Sequence, residues 1–200
     1  MESAMQNPTE NELIQAESRR EAYMNAIPKE VIAQEDRLPI QIQSMNASNK
    51  SKLQNIYLVA EELFRLRPSF VACKEGCSSC CHMNISITSE EASRISTATA
   101  QKAKEISFSI SHPLSTFAGK PCPFLDISQG NCSIYPDRPL ACRKHVSFFD
   151  SATYCDVTIA NDISVPLMGF SGLDNALYSV KNKNQNLVIA DIRDFFPSTK

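Results

Sequence analysis

Eight cysteines carry most of the chemistry this chain has to offer. Four fall within nine residues, as Cys73-x3-Cys77-x2-Cys80-Cys81. Cys122, Cys132, Cys142 and Cys155 follow, with forty, nine, nine and twelve residues between successive cysteines from Cys81 onward. Thiolates are soft ligands suited to zinc, copper(I) and iron-sulfur clusters. Four of them close a tetrahedral zinc site or anchor the four irons of a cubane. A single buried cysteine usually behaves as a small hydrophobe. Four in so short a run are not accounted for that way, and the expectation is a metal site, with structural or redox thiols as the alternative.

Adjacent Cys80 and Cys81 pose a geometric problem. Neighbouring side chains point to opposite faces of a strand, or roughly 100° apart on a helix. Both seldom reach one ion, so either the two serve different metals or one is spare. Eight thiols fill two four-ligand sites, and one multinuclear site also fits; the sequence does not pair them.

The residues around the cysteines admit two readings each. Gly76 permits a tight turn that aims backbone N–H groups at sulfur, and is also an ordinary turn glycine. Arg138, Arg143 and Lys144 flank Cys142, where positive charge favours thiolate, and serve equally as solvated surface charge. His82 and His145 are candidate extra ligands, although the cysteines alone complete the shells. His112, before Pro113 in a loop, is given no role.

The bulk properties set the compartment in which those thiols act. With 200 residues and 42% hydrophobic composition, the chain suits one domain with a terminal extension. A net charge of -2 gives no reason to expect nucleic acid or an anionic membrane as partner. No run approaches the roughly 18 apolar residues that span a bilayer. Residues 1–21 are polar and acidic, without the basic start and apolar middle of a secretion signal. The expected location is therefore the cytoplasm, where thiols stay reduced and a dense cysteine pattern means metal or redox chemistry rather than disulfides. The partner expected is a metal ion; a protein partner is not readable.

Several elements are expected to hold the cysteines in place. Thr9 with Glu12 forms a capping box for a helix over residues 10–26, ending near Pro28. Residues 38–50, rich in Gln, Asn and Ser, read as a linker. Leu53, Ile56, Tyr57, Ala60, Leu63 and Phe64 recur at helical spacing, in a helix capped by Ser51 and stopped by Pro68. Residues 84–88 alternate like a short strand, and Thr88 with Glu91 opens a helix to about residue 104. Residues 112–139 hold five prolines and are expected as turns and short extended pieces. Such a stretch has little core of its own, so metal ligation would supply the restraint. Ser171 with Asp174 caps a helix to about residue 180, and residues 187–192 form a short strand.

The expected fold class is α-rich α+β: a small, irregular, metal-stabilised cysteine-cluster domain with flanking helices and few short strands. Its division is a helical extension and linker over 1–50, the metal-binding domain over 51–160, and a helix/strand segment over 161–200 that packs on it.

The segments C-K-E-G-C-S-S-C-C at 73–81, P-C-P-F-L at 121–125 and C-S-I-Y-P-D-R-P-L-A-C-R at 132–143, with the late Cys155, resemble the YkgJ-type cysteine-cluster family of zinc- or iron-chelating proteins. The resemblance covers about 73–156. It implies metal chelation at Cys73, Cys77, Cys80, Cys81, Cys122, Cys132, Cys142 and Cys155, by zinc or an iron-sulfur cluster, without settling the metal. Lys144, His145 and Val146 depart from the Phe-Pro-containing stretch common after the seventh cysteine. The implied function is metal binding, with an electron-transfer or metal-handling role.

The same family includes a flagellin lysine N-methylase, which implies an S-adenosylmethionine-dependent enzyme as the alternative. No glycine-rich loop for a methyl donor accompanies it here. The spacing Cys73-x3-Cys77-x2-Cys80 also matches the cubane motif of radical S-adenosylmethionine enzymes, but the strand-helix rhythm of their barrel is missing. A disulfide-bearing exported protein and a Cys142–His145 nucleophile pair are the remaining readings. The first lacks a signal, and the second lacks an oxyanion hole or orienting carboxylate.

Overall fold

The computed structural model describes residues 7–67, 71, 73, 75–160, 169–181 and 186–197. The fold is α-rich α+β, with short strands in two-stranded antiparallel sheets. Among the described residues no helix is long and apolar enough to cross a membrane.

Helix α1 spans Glu10–Ala26 and begins at the expected capping box, in which the Glu12 N–H donates to the Thr9 hydroxyl and the Thr9 N–H to the Glu12 carboxylate at 2.8 Å. Its apolar stripe is thin; Ala16 and Tyr23 are the buried contacts. The Tyr23 hydroxyl donates to the Leu63 carbonyl at 2.8 Å and so ties the helix to α3.

Helix α2, Lys29–Ser44, runs through the first part of the expected linker. Val31, Glu35, Leu38 and Ile42 recur along one face and are buried, a period that outweighs the polar composition between them. Pro39 sits inside this helix and offers no N–H to the Glu35 carbonyl one turn back.

Helix α3, Asn49–Arg65, is capped by Ser48 rather than Ser51; the Ser51 N–H donates to the Ser48 hydroxyl. It buries Leu53, Ile56, Tyr57, Val59, Ala60 and Leu63. Pro68, the expected stop, lies outside the described residues. Strand β1, Ser86–Thr88, leads into α4, Ser89–Thr99, through the expected Thr88–Glu91 capping box.

This helix ends five residues earlier than its expected limit near 104. Ala100 takes a left-handed conformation at φ 58°, and the Ala103 N–H turns back to the Ser96 hydroxyl. Hydroxyl side chains at the end of a helix offer such competing bonds, which periodicity does not register.

The proline-rich stretch forms turns and the hairpin β2 (Leu125–Asp126) with β3 (Asn131–Cys132). Short helices α5 (Leu140–Lys144) and α6 (Val157–Ala160) follow. Helix α7, Ser171–Ser179, starts without a side-chain cap from Ser171. Its Leu173 N–H donates instead to the carboxylate of Glu35 on α2 at 2.9 Å, while Asp174 pairs with Lys144 at 2.6 Å. Strand β4, Ile189–Asp191, pairs antiparallel with β1 in the register Ser86↔Asp191, and leads into α8, Ile192–Phe195.

Among the described residues the buried apolar side chains form two cores. The first joins α1, α2, α3 and α7 with Leu140, Val146, Phe148 and Phe149. The second joins β1, β4, α4 and α8 with Phe124, Ile134 and Phe196. Full burial of each Leu, Ile, Val or Phe contributes roughly 1.5–3 kcal/mol, so both cores are substantial. Glu91 ties them together. One of its oxygens accepts from the Tyr57 hydroxyl at 3.0 Å and the Leu140 N–H at 2.8 Å; the other accepts from the Thr88 N–H at 2.9 Å.

Candidate metal centre

All eight cysteines are free thiols. The elements that carry them are short and irregular, and the surrounding backbone bonds fix them. After α3, Gly76 turns the chain at φ +90°, a value open to glycine and strained for other residues, and places Cys73 and Cys77 on either side of the turn. Cys80 and Cys81 lie on a 3-10 turn, Ser79–His82, closed by the Cys81 N–H donating to the Ser78 carbonyl at 2.9 Å. With three residues per turn, successive side chains diverge by about 120°. The two sulfurs nevertheless stay within hydrogen-bond reach, Cys80 donating to Cys81.

The Cys122 N–H donates to the Cys81 carbonyl at 2.7 Å, which brings the third segment alongside the first. The β2–β3 hairpin then folds Cys132 back over Cys122, with Leu125 opposite Cys132 in the register and the Ser133 N–H on the Phe124 carbonyl at 2.9 Å. Cys142 is on α5, whose first residue is held by Glu91. Cys155 closes a second 3-10 turn, Ala152–Cys155, packed against the first. Tyr154 of that turn donates to Glu12 of α1 at 2.7 Å, so the N-terminal helix helps place Cys155.

A cavity of about 70 Å³ is lined by Cys73, Cys77, Cys80, Cys81, Cys132 and Cys142. Cys80 donates a hydrogen bond to Cys81 within it. His145 is in its wall, and in the wall of a neighbouring cavity of about 240 Å³ that also reaches Cys80 and Cys142.

Burial decides the protonation of most of these groups. It pushes the Cys73 thiol up to about 11 and Cys122 up to about 12, and raises Cys132, Cys142 and Cys155. Cys80 is held well above the ordinary thiol range by the hydrogen bond it donates to Cys81, and then by burial. Cys81 is the exception: accepting that bond lowers it, and the nearby Arg193 guanidinium acts in the same direction. Burial lowers His145, favouring the neutral imidazole.

Donors surround the sulfurs. The Ser147 N–H donates to Cys73 Sγ at 3.3 Å and the Ser147 hydroxyl donates to Cys155, while the amides of Phe124 and Ile134 donate to Cys122 and Cys132. Arg193 clamps the backbone of the site, donating to the carbonyls of Lys120 at 2.6 Å and Cys81 at 3.1 Å and to Asp191 at 3.0 Å. Such bonds orient ligands and offset the charge of a multi-thiolate centre.

Of the cations flanking Cys142 in sequence, Arg143 turns away to Glu61 and to the Arg138 carbonyl, and Lys144 pairs with Asp174. Arg138 donates to the Tyr135 carbonyl at 2.8 Å. His82 lies 3.3 Å from the Ser78 carbonyl of its own turn, and His112 pairs with Asp194 at 2.8 Å. Sequence reading passed over Ser147, Arg67 and Arg193, which no spacing rule connects to a cysteine. Arg67 donates to the Cys73 carbonyl at 3.1 Å.

The donor set is the kind that soft cations take: free thiols, amide donors to sulfur and compensating guanidinium charge. Among the described residues, no three His, Cys, Asp or Glu side chains already stand in an arrangement that could hold an ion.

Residues 72–156, which include all eight cysteines, match the family model described as "CxxCxxCC: Putative zinc- or iron-chelating domain". No curated protein and no solved structure matches the chain.

Proposed function

We propose, from the premise that residues 72–156 carry a zinc- or iron-chelating cysteine-cluster domain, that this chain binds metal through Cys73, Cys77, Cys80, Cys81, Cys122, Cys132, Cys142 and Cys155, in an electron-transfer or metal-handling role in the cytoplasm. The observation that carries the reading is the neighbourhood of these sulfurs. Six of the eight, among them Cys73 and Cys142, 69 residues apart in sequence, line one small cavity.

Thiols this buried are poor nucleophiles and are inert while protonated. A bound cation gives them a reason to ionise, because each coordinating sulfur binds as thiolate. Cys80 donates to Cys81, and that proton would leave as the two sulfurs coordinate. Zinc supplies tetrahedral closure without redox change, and an iron-sulfur cluster supplies an electron carrier. The S-adenosylmethionine alternative has no specific observation in its favour.

The test is metal analysis with visible spectroscopy on anaerobically purified protein. Expected is tightly held zinc in colourless protein, or iron with thiolate-to-iron absorption. A folded protein that takes up neither metal, with every thiol open to alkylation, overturns the reading.

A further inference from the structure

We infer that Arg138 is a built-in counter-charge for the metal centre: a buried guanidinium without a carboxylate of its own, held in the wall of the thiol cavity, where it offsets the negative charge that coordinating thiolates gather around a cation. This rests on the metal-binding reading above and deepens it, by naming the residue that suits the cavity to an anionic, thiolate-rich centre.

The first observation is an unpaired charge. Arg138 is 7% exposed. Among the described residues the other buried arginines are Arg143 and Arg193, and each meets a carboxylate: Arg143 that of Glu61, Arg193 that of Asp191 at 3.0 Å. Arg138 has no such pair among the described residues. The carboxylate next to it in sequence, Asp137, is taken by Arg94 at 2.9 Å. The Tyr135 carbonyl accepts one of its N–H bonds at 2.8 Å, but a carbonyl is neutral and a guanidinium has further donors. Arg143, whose Nε donates to the Arg138 carbonyl at 2.8 Å, adds a second cation nearby. Taking a charge out of water without a partner is costly.

The second observation is where that charge sits. The guanidinium carbon lies 3.9 Å from the centre of the Tyr135 ring and 5.6 Å from that of Phe64. Both rings line the cavity of about 70 Å³, together with Arg138 and six cysteines. The 3-10 turn Tyr135–Asp137 before it and Pro139 after it fix its backbone between Cys132 and Cys142. Among the described residues that line the cavity, Arg138 alone carries a permanent charge. The cations beside Cys142 thus divide. Arg143 and Lys144 are engaged by Glu61 and Asp174, and Arg138 is left to the cavity.

Protonated thiols are neutral and give Arg138 no counter-ion. Thiolates around a cation do, and charges in a small enclosed site are weakly screened. The same residue therefore opposes the metal-free fold and favours the loaded one.

The experiment compares Arg138→Met and Arg138→Lys with the wild type, as full chains under anaerobic conditions, with zinc alone as probe. Urea unfolding of the metal-free proteins and zinc affinity by competition with a chelator are both read. Met keeps length and apolar packing without the charge; Lys keeps the charge without the planar fork. Expected for Arg138→Met is a metal-free midpoint above that of the wild type and zinc affinity weaker by about 10- to 100-fold. Loss of a purely structural contact would move both in the same direction. Expected for Arg138→Lys is a zinc affinity nearer to the wild type than to Arg138→Met.

A metal-free midpoint that falls in Arg138→Met, zinc affinity unchanged in that variant, or Arg138→Lys binding as weakly as Arg138→Met overturns the counter-charge. So does a metal-free wild type stabilised by inorganic phosphate where Arg138→Met is not, which assigns the cavity to a free anion. A wild type that takes up neither zinc nor iron defeats the metal reading itself, a result distinct from wild type and Arg138→Met binding zinc equally well.

Discussion

A thiol buried at Cys73 or Cys122 resists losing its proton, and a metal ion requires that it lose it. The folded chain raises these groups from an ordinary 9.0 to about 11 and about 12. Below about pH 9 both folded and unfolded metal-free chains keep the protons, and the stabilisation from keeping these thiols neutral is fully present. As pH rises from 9 toward 12 the unfolded chain ionises first, and that stability is lost. Thermal melts of the metal-free protein are therefore expected to fall across this window, while those of the metal-loaded protein hold, because its thiolates are already formed. At lower pH the same protons compete with metal, and zinc affinity measured by competition should rise with pH.

Arg193, buried between Asp191 and four backbone carbonyls, is the other residue-scale anchor. Arg193→Ala is expected to cost about 3 kcal/mol by denaturant unfolding, since Asp191 and those carbonyls lose their donor. Lys, with no planar fork to divide among them, should restore only a minor part.

The elements meet at two carboxylates. Both oxygens of Glu91 are filled by donors from α3, from the start of α4 and from the start of α5, the helix that carries Cys142. An amide at this position would turn its NH2 toward two donors. Glu91→Gln is expected to lower stability by about 2 kcal/mol in urea unfolding and to weaken metal retention, because α5 loses its tether. Glu35 plays the matching part for α7, whose first turn it caps from α2.

Pro39 leaves the Glu35 carbonyl without its helical donor, and Gly172 fits against that carbonyl; a Cβ on Gly172 would lie 2.2 Å from the oxygen. Gly172→Ala should therefore force α2 and α7 apart and cost about 3 kcal/mol by thermal or denaturant melts, at the upper end for overpacking. The Thr9–Glu12 and Thr88–Glu91 boxes were legible in the sequence because their partners lie three residues apart. The cap of α7 was not, because its partner lies 138 residues away.

Across the molecule, the helical core of α1, α2, α3 and α7 includes a single cysteine at its margin, whereas the second core packs against four. Removing metal should then act unevenly. After chelation, amide exchange is expected to rise over residues 112–142 and at β1 and β4, while α1, α2 and α3 keep their protection and the far-ultraviolet helical signal changes little. Uniform exchange across both cores would show that the sulfurs restrain the whole chain equally.

The sequence by itself determined the chemistry and much of the local form. The residue type and density of the cysteines point to soft-metal binding, and that reading needs no folding. The two capping boxes, the periodic face of α3 and the prolines of 112–139 act over a few residues and are written where they act. Composition misled over 38–44, where Gln and Ser hid a helix whose burial period was present all along. Only the tertiary structure decided that six of the sulfurs line one cavity, that Ser147 donates to Cys73 and Arg193 to the Cys81 carbonyl, and that Arg143 and Lys144 pair with Glu61 and Asp174. The physical reason is reach: a propensity or a cap is settled within one turn of chain, but a coordination shell is assembled from segments whose approach depends on how both cores pack.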